Sequence, residues 1–177
     1  MLTAMKNVDT LLRLTTNLIN FSKANVYSSS LRISEHELNT YMEGICHAFY
    51  SYAEAKQIKL DYKSNFEYQN VWFDKEKMDS ITKNLISNAI KYTPAHGEVH
   101  IIICHDKDNW SLEITDTGIG IPAKEQKKLF KLHFRGSNAI NAKITGSGIG
   151  LMLVWKLVRI HKGKISIESV ENKGTRV

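Results

Sequence analysis

With 177 residues, 42% of them hydrophobic, and only two prolines, the chain is long enough for one packed core and too apolar for a disordered identity. Its formal charge of +6 comes from scattered lysines, densest at Lys124, Lys127, Lys128 and Lys131; that pattern reads as a solvated face and argues against a nucleic-acid groove. Cys46 and Cys104 lack metal-ligand spacing and read as two reduced core thiols, while no apolar run approaches the ~20 residues of a membrane span, so the chain reads as soluble and cytosolic in its chemistry.

From Met5 to about Asn25, Val8, Leu11, Thr15, Leu18 and Ser22 recur at steps of three and four, with Leu12 and Ile19 widening the stripe. This predicts an amphipathic helix that must pack either on the domain's own core or on another helix. Tyr27-Ser28-Ser29-Ser30 reads as a linker separating residues 1–27 from a domain over 28–177. Leu31-Arg32-Ile33 is a strand candidate, and Ser34 with Glu37 makes a capping box for a helix with Leu38, Met42, Ile45, Phe49 and Tyr52 on its apolar face. Ile58 to Tyr62 alternates as a strand. Asp74 caps a second long helix through Tyr92, stopped by Thr93-Pro94. Val99 to Cys104 and Trp110 to Thr115 form a hairpin across Asp106-Lys107-Asp108-Asn109. A helix from about Pro122, a polar stretch through Thr145, a helix Gly150 to His161 and a strand Lys164 to Ser169 complete the order. Without a regular βαβ repeat, the class is α+β, a mixed sheet covered on one face by helices.

Three features carry chemistry. Asn84, Asn88 and Lys91 share one stripe of the second long helix. A solvated face is the plain alternative, but asparagine is a poor helix former, and two amides with a lysine suit a hydrated magnesium ion and phosphates. In Asp116-Thr117-Gly118-Ile119-Gly120-Ile121-Pro122, the strand period puts Asp116 on the face of Leu112 and Ile114, where a carboxylate needs a donor. Gly118 and Gly120 permit a tight turn or close approach to a ligand, and a simple Asp-capped turn is the alternative. Gly146-Ser147-Gly148-Ile149-Gly150 runs into a helix start, whose unpaired N–H groups suit an anion. It is neither a Walker loop nor a dinucleotide fingerprint, having no following Gly-Lys-Ser/Thr and no strand directly before it. Between them, Ala123 to Thr145 is polar and basic with Phe130 and Phe134, and reads as a mobile lid.

Taken in order, Asn84 through Pro94, Asp116 through Pro122, Leu129 through Gly136 and Gly146 through Leu151 closely resemble the N, first glycine, F and second glycine boxes of bacterial sensor histidine kinases. Asn7 through Ser22 looks like the second helix of that family's dimerisation bundle. The resemblance implies the two-layer Bergerat ATP-binding sandwich, shared with gyrase-type ATPases. By it, Asn88 holds magnesium, Asn84 assists the phosphate and metal shell, Lys91 and Tyr92 contact phosphates and sugar, and Asp116 accepts from the adenine amino group. Gly118 and Gly120 let the nucleotide lie against the chain, Gly146, Gly148 and Gly150 with Leu151 form the lid hinge and phosphate cradle, and Arg135 is a further phosphate contact. Asn84 and Lys91 are then the catalytic pair, with ATP and Mg2+ as cofactors.

Hydrolysing relatives place a glutamate where Asn84 stands, so its absence favours phosphoryl transfer over hydrolysis. The resemblance also implies a response-regulator receiver domain as partner, a homodimer in the full-length protein, and a cytoplasmic domain of a protein anchored in the inner membrane. The accepting histidine of the family lies on the first bundle helix, and none of His36, His47, His96, His100, His105, His133 and His161 has its context. Lys173 through Val177 resembles the third glycine box and stops where another strand segment is expected, as in a piece of a longer chain. An anti-sigma-type serine kinase is the alternative with the same boxes but no bundle helix; a non-catalytic nucleotide-dependent interaction module is the other.

Overall fold

Alternation along the longest strand decides which side of the sheet is dry. In the computed structural model, described for residues 30–106, 109–131, 134–142, 144 and 146–177, β1 is Ser34–Glu37, β2 Lys59–Ser64, β3 Asn70–Phe73, β4 Glu98–Asp106 and β5 Asn109–Asp116. Val99, Ile101 and Ile103 of β4 are buried with Ile114 of β5, whereas Cys104 is exposed. Successive strand residues face opposite ways, so the expectation of two core thiols holds for Cys46 alone. The bundle helix expected over residues 1–27 lies outside the described residues.

Beyond β5 come the short helices α3 (Ala123–Gln126) and α4 (Ser137–Asn141), then α5 (Gly150–Ile160), β6 (Glu168–Val170) and β7 (Gly174–Arg176). The main sheet has the order β2-β4-β5-β7-β6; β2 runs parallel to β4, the other pairs are antiparallel, and β1 pairs with β3 as a separate ribbon. Two long helices, α1 (Leu38–Ala55) and α2 (Lys75–Tyr92), join α5 in covering one face. Leu38, Met42 and Cys46 of α1, Ile86 and Ile90 of α2, and Val154 and Leu157 of α5 enter one apolar cluster with the β4 and β5 residues. The opposite face carries charges of alternating sign: Lys59 pairs with Asp61 and Glu98, and Arg176 with Glu113 and Glu168. A wet face of this kind needs no second layer, so the sheet is covered on one side, as the sequence pattern predicts.

Several boundaries differ from expectation, each for a local reason. The first strand is Ser34–Glu37, not Leu31-Arg32-Ile33, because its backbone pairs with β3, a strand the sequence pattern does not reveal. Ser34 therefore sits in the ribbon, and the α1 cap is Glu37, whose carboxylate accepts from Asn39 N, Thr40 N and Gln69 N. Burial alone would raise the Glu37 pKa, but these bonds hold it at about 2. The strand expected from Lys164 begins only at Glu168. The β6–β7 register sets Glu168 opposite Arg176, Ser169 opposite Thr175 and Val170 opposite Gly174.

Asp74 caps α2 through Lys77 N and also takes a 2.7 Å bond from Lys77 Nζ, with both side chains nearly inaccessible. Desolvation would raise its pKa, yet the Lys77 contacts and Arg32 N hold it at about 2. Lys77 Nζ also reaches Ser30 O, and Asp74 N donates to His161 Nε2 at the end of α5. The entry to the domain is thus tied to the start of α2 and the end of α5.

Candidate nucleotide-binding site

Between α2, the end of β5, α4 and the start of α5 lies a cavity of about 620 Å³. Of the residues singled out by sequence, Asn84, Asn88, Lys91, Tyr92, Asp116, Gly120, Arg135, Gly146, Gly148, Gly150 and Leu151 line it, and Gly118 does not. The i, i+4, i+7 spacing brings the two amides and the ammonium to the side of α2 that faces α5. Asn84 Nδ2 donates back to Ser80 O at 2.6 Å. Its Oδ1 stands 2.7 Å from the point where a Cβ on Gly150 would sit, and Asn88 Nδ2 stands 3.9 Å from that point. A Cβ on Gly146 would meet Lys91 Nζ at 2.7 Å and Tyr92 Oη at 3.6 Å. The glycines thus leave room for the α2 polar groups at the mouth of a helix N-terminus, where unpaired N–H groups favour an anion. Lys91 Nζ lies 4.5 Å over the Tyr92 ring, a contact that orients the ammonium without neutralising it.

Asp116 closes the opposite end. It is 8% exposed, and its Oδ1 accepts from Gly118 N at 2.8 Å and Thr175 N at 3.2 Å. Burial pushes its pKa up to about 6 against the pull of those two bonds. Gly118 serves the packing of the turn rather than the cavity wall, since a Cβ there would meet Tyr92 O and Asp116 Oδ1, both at 2.6 Å. Gly120 adopts φ +60, and a Cβ would strike Val170 O at 2.0 Å.

Arg135 sits on the wall with its Nη2 donating to Ile144 O, while its buried Nε has no partner among the described residues. An orphaned guanidinium N–H is an open donor for an anion. Among the described residues, no group of three or more His, Cys, Asp or Glu is arranged to hold a metal. The amide oxygens of the α2 stripe together with phosphate oxygens of a ligand suit magnesium, which keeps several waters and binds with phosphates.

Two contributors escape local pattern reading. Thr175 reaches Asp116 from 59 positions away through its backbone N–H, and Asn138 joins the wall from α4. The third glycine box pointed toward the first; nothing in the neighbourhood of Asn138 signals the second.

Comparison with known proteins agrees with this arrangement. The family described as histidine kinase-, DNA gyrase B-, and HSP90-like ATPases matches residues 73–177. Histidine kinase P4 of Formosa agariphila is 30% identical over 171 residues, covering 93% of this chain and 12% of that protein. The circadian input-output histidine kinase CikA of Thermosynechococcus vestitus is 32% identical over 167 residues, with coverage of 93% and 23%. The chain therefore spans less than a quarter of the length of these relatives. In structure, the catalytic domain of histidine kinase ThkA superposes with a TM-score of 0.71 at 23% identity, covering 82% of this chain and 91% of that one. Full-length ShkA in complex with AMPPNP gives 0.80 at 20% identity, covering 98% and 36%. The chain belongs to the histidine kinase-, DNA gyrase B-, and HSP90-like ATPases, and the relatives named above, which it matches over part of their length, are histidine kinases.

Proposed function

We propose that this domain holds ATP with Mg2+ and serves a two-component sensor kinase by transferring the γ-phosphate to a histidine on a dimerisation helix, for relay to a response-regulator aspartate. The observation that carries the reading is the facing of Asn84, Asn88 and Lys91 across one cavity from Gly146 and Gly150, with a buried carboxylate at the far end. In this reading Asp116 Oδ2, which receives neither of the two backbone bonds, accepts from the adenine amino group. Lys91 and the start of α5 bind phosphates, Tyr92 borders the sugar, and Arg135 Nε supplies a further donor. The amide oxygen of Asn88, assisted by Asn84, would hold a magnesium ion, which would neutralise phosphate charge when bound. No carboxylate stands at Asn84 to draw a proton from water, so positioning and charge neutralisation support transfer to an external nucleophile rather than hydrolysis.

ThkA has been solved in complex with the response regulator TrrA; a receiver domain is the corresponding partner proposed here, and a homodimer built through the 7–22 segment is the proposed assembly. Calorimetric titration with ATP and with ADP, each with and without magnesium, tests the site. Magnesium-dependent binding is expected, and its absence from well-folded protein overturns the reading. Mixing the chain with a dimerisation segment bearing the acceptor histidine tests the chemistry: slow phosphotransfer in trans is expected, and Asn88→Ala should abolish it.

A further inference from the structure

The stretch Ala123 to Thr145 is read from sequence as a mobile lid, and several of its described residues are tethered by hydrogen bonds or burial. Ser137 N donates to Glu125 Oε2 at 2.9 Å, joining the two short helices. Leu129 and Ala139 are buried and line the cavity. Two side-chain amides then bind this unit to the loop after Asp116. Asn138 Nδ2 donates to Gly120 O at 2.9 Å and Ile119 O at 3.3 Å; Gln126 Nε2 donates to Ile121 O at 3.1 Å and Ser169 O at 2.7 Å.

That loop is the wall beside the buried carboxylate. Ile119 N is held by Tyr92 O, and Ile119 O also accepts from Asn172 N. Gly120 takes a left-handed φ of +60, a conformation in which its carbonyl needs a defined partner to stay oriented. Asn138 provides that partner. Its own Oδ1 accepts from Ala139 N at 2.9 Å, which fixes the amide with its N–H groups toward the loop.

We infer that Asn138 is a positioning residue for base recognition: it locks the 119–120 carbonyls so that the wall beside Asp116 is set before a nucleotide arrives. Gln126 supports the neighbouring carbonyl from the other short helix. The inference rests on the proposal that Asp116 marks the adenine end of the cavity.

The test compares the parent chain with Asn138→Asp and Asn138→Ala, titrating ATP, GTP and inorganic tripolyphosphate with magnesium, while hydrogen exchange follows residues 118–121. Asn138→Asp keeps the shape but replaces the donor with an acceptor facing two carbonyls, so it separates hydrogen bonding from packing. Loss of the donated bonds should weaken ATP binding about tenfold, reduce the preference for ATP over GTP, and speed exchange at 118–121, with tripolyphosphate affinity unchanged. Asn138→Asp should be at least as damaging as Asn138→Ala. Parent-like ATP/GTP preference and exchange in both variants would overturn the inference while leaving ATP binding intact. Equal weakening of ATP and tripolyphosphate would overturn it too, by showing a general structural defect. If the parent binds no adenine nucleotide, the underlying assignment of the cavity fails and the inference falls with it.

Discussion

Asn84 Oδ1 lies 2.7 Å from where a Cβ on Gly150 would stand, so a helix amide and a helix N-terminus share one small space. Gly150 has no left-handed φ to protect, and alanine is a better helix former by about 1 kcal/mol. Gly150→Ala should therefore leave thermal stability equal or raised while displacing the Asn84 amide. Calorimetry should show magnesium-nucleotide affinity weakened about tenfold, the scale of one lost polar contact. Unchanged affinity would show that Asn84 and the start of α5 do not jointly form the phosphate site.

Asp116 links pH to both binding and stability. Its folded-state pKa of about 6 lies above the ordinary 3.8, so the folded chain holds the proton more tightly than the unfolded one. Its effect on stability is most favourable below 3.8, declines as pH rises from there through 6, and becomes a fixed penalty of about 3 kcal/mol above that. Asp116→Asn removes the ionisation and should make the chain more stable at pH 7 in urea denaturation.

The same group predicts the opposite trend for the ligand. Protonation empties the acceptor role, so adenine-nucleotide affinity should fall about tenfold between pH 7 and pH 5. Asp116→Asn, which opposes an amide N–H to the adenine amino group, should lose about 1–3 kcal/mol of binding and flatten the pH profile. A parent whose affinity is flat across this range would exclude Asp116 as the base-accepting group.

Asp74→Ala removes the α2 cap and the carboxylate that pairs with the buried Lys77 ammonium. Breaking a buried pair from one side costs about 3–5 kcal/mol, which urea unfolding can measure. Because the Asp74 pKa is depressed to about 2 from 3.8, its contribution is complete above 3.8 and disappears as pH falls through 2. A loss below about 1 kcal/mol, the size of an N-cap alone, would show that Lys77 finds other partners.

Local periodicity was enough to bring out α2, the β4–β5 hairpin, α5 and the polar stripe of Asn84, Asn88 and Lys91, because each depends on neighbours three, four or two positions away. The short range also explains the Asp116 placement, since strand alternation carries Leu112, Ile114 and Asp116 to one face. Pairing between distant segments was not legible. β3 is a four-residue strand whose identity comes from its ladder with β1, Cys104 is exposed because helices cover only the other face of β4, and Asn138 and Thr175 reach the cavity through contacts 18 and 59 positions apart. The sequence by itself determined which polar groups share a helix stripe or a strand face, since their spacing is a local property. Only the tertiary structure decided which backbone carbonyls and N–H groups hold them in place, because a hydrogen bond between remote segments leaves no periodic trace in either one.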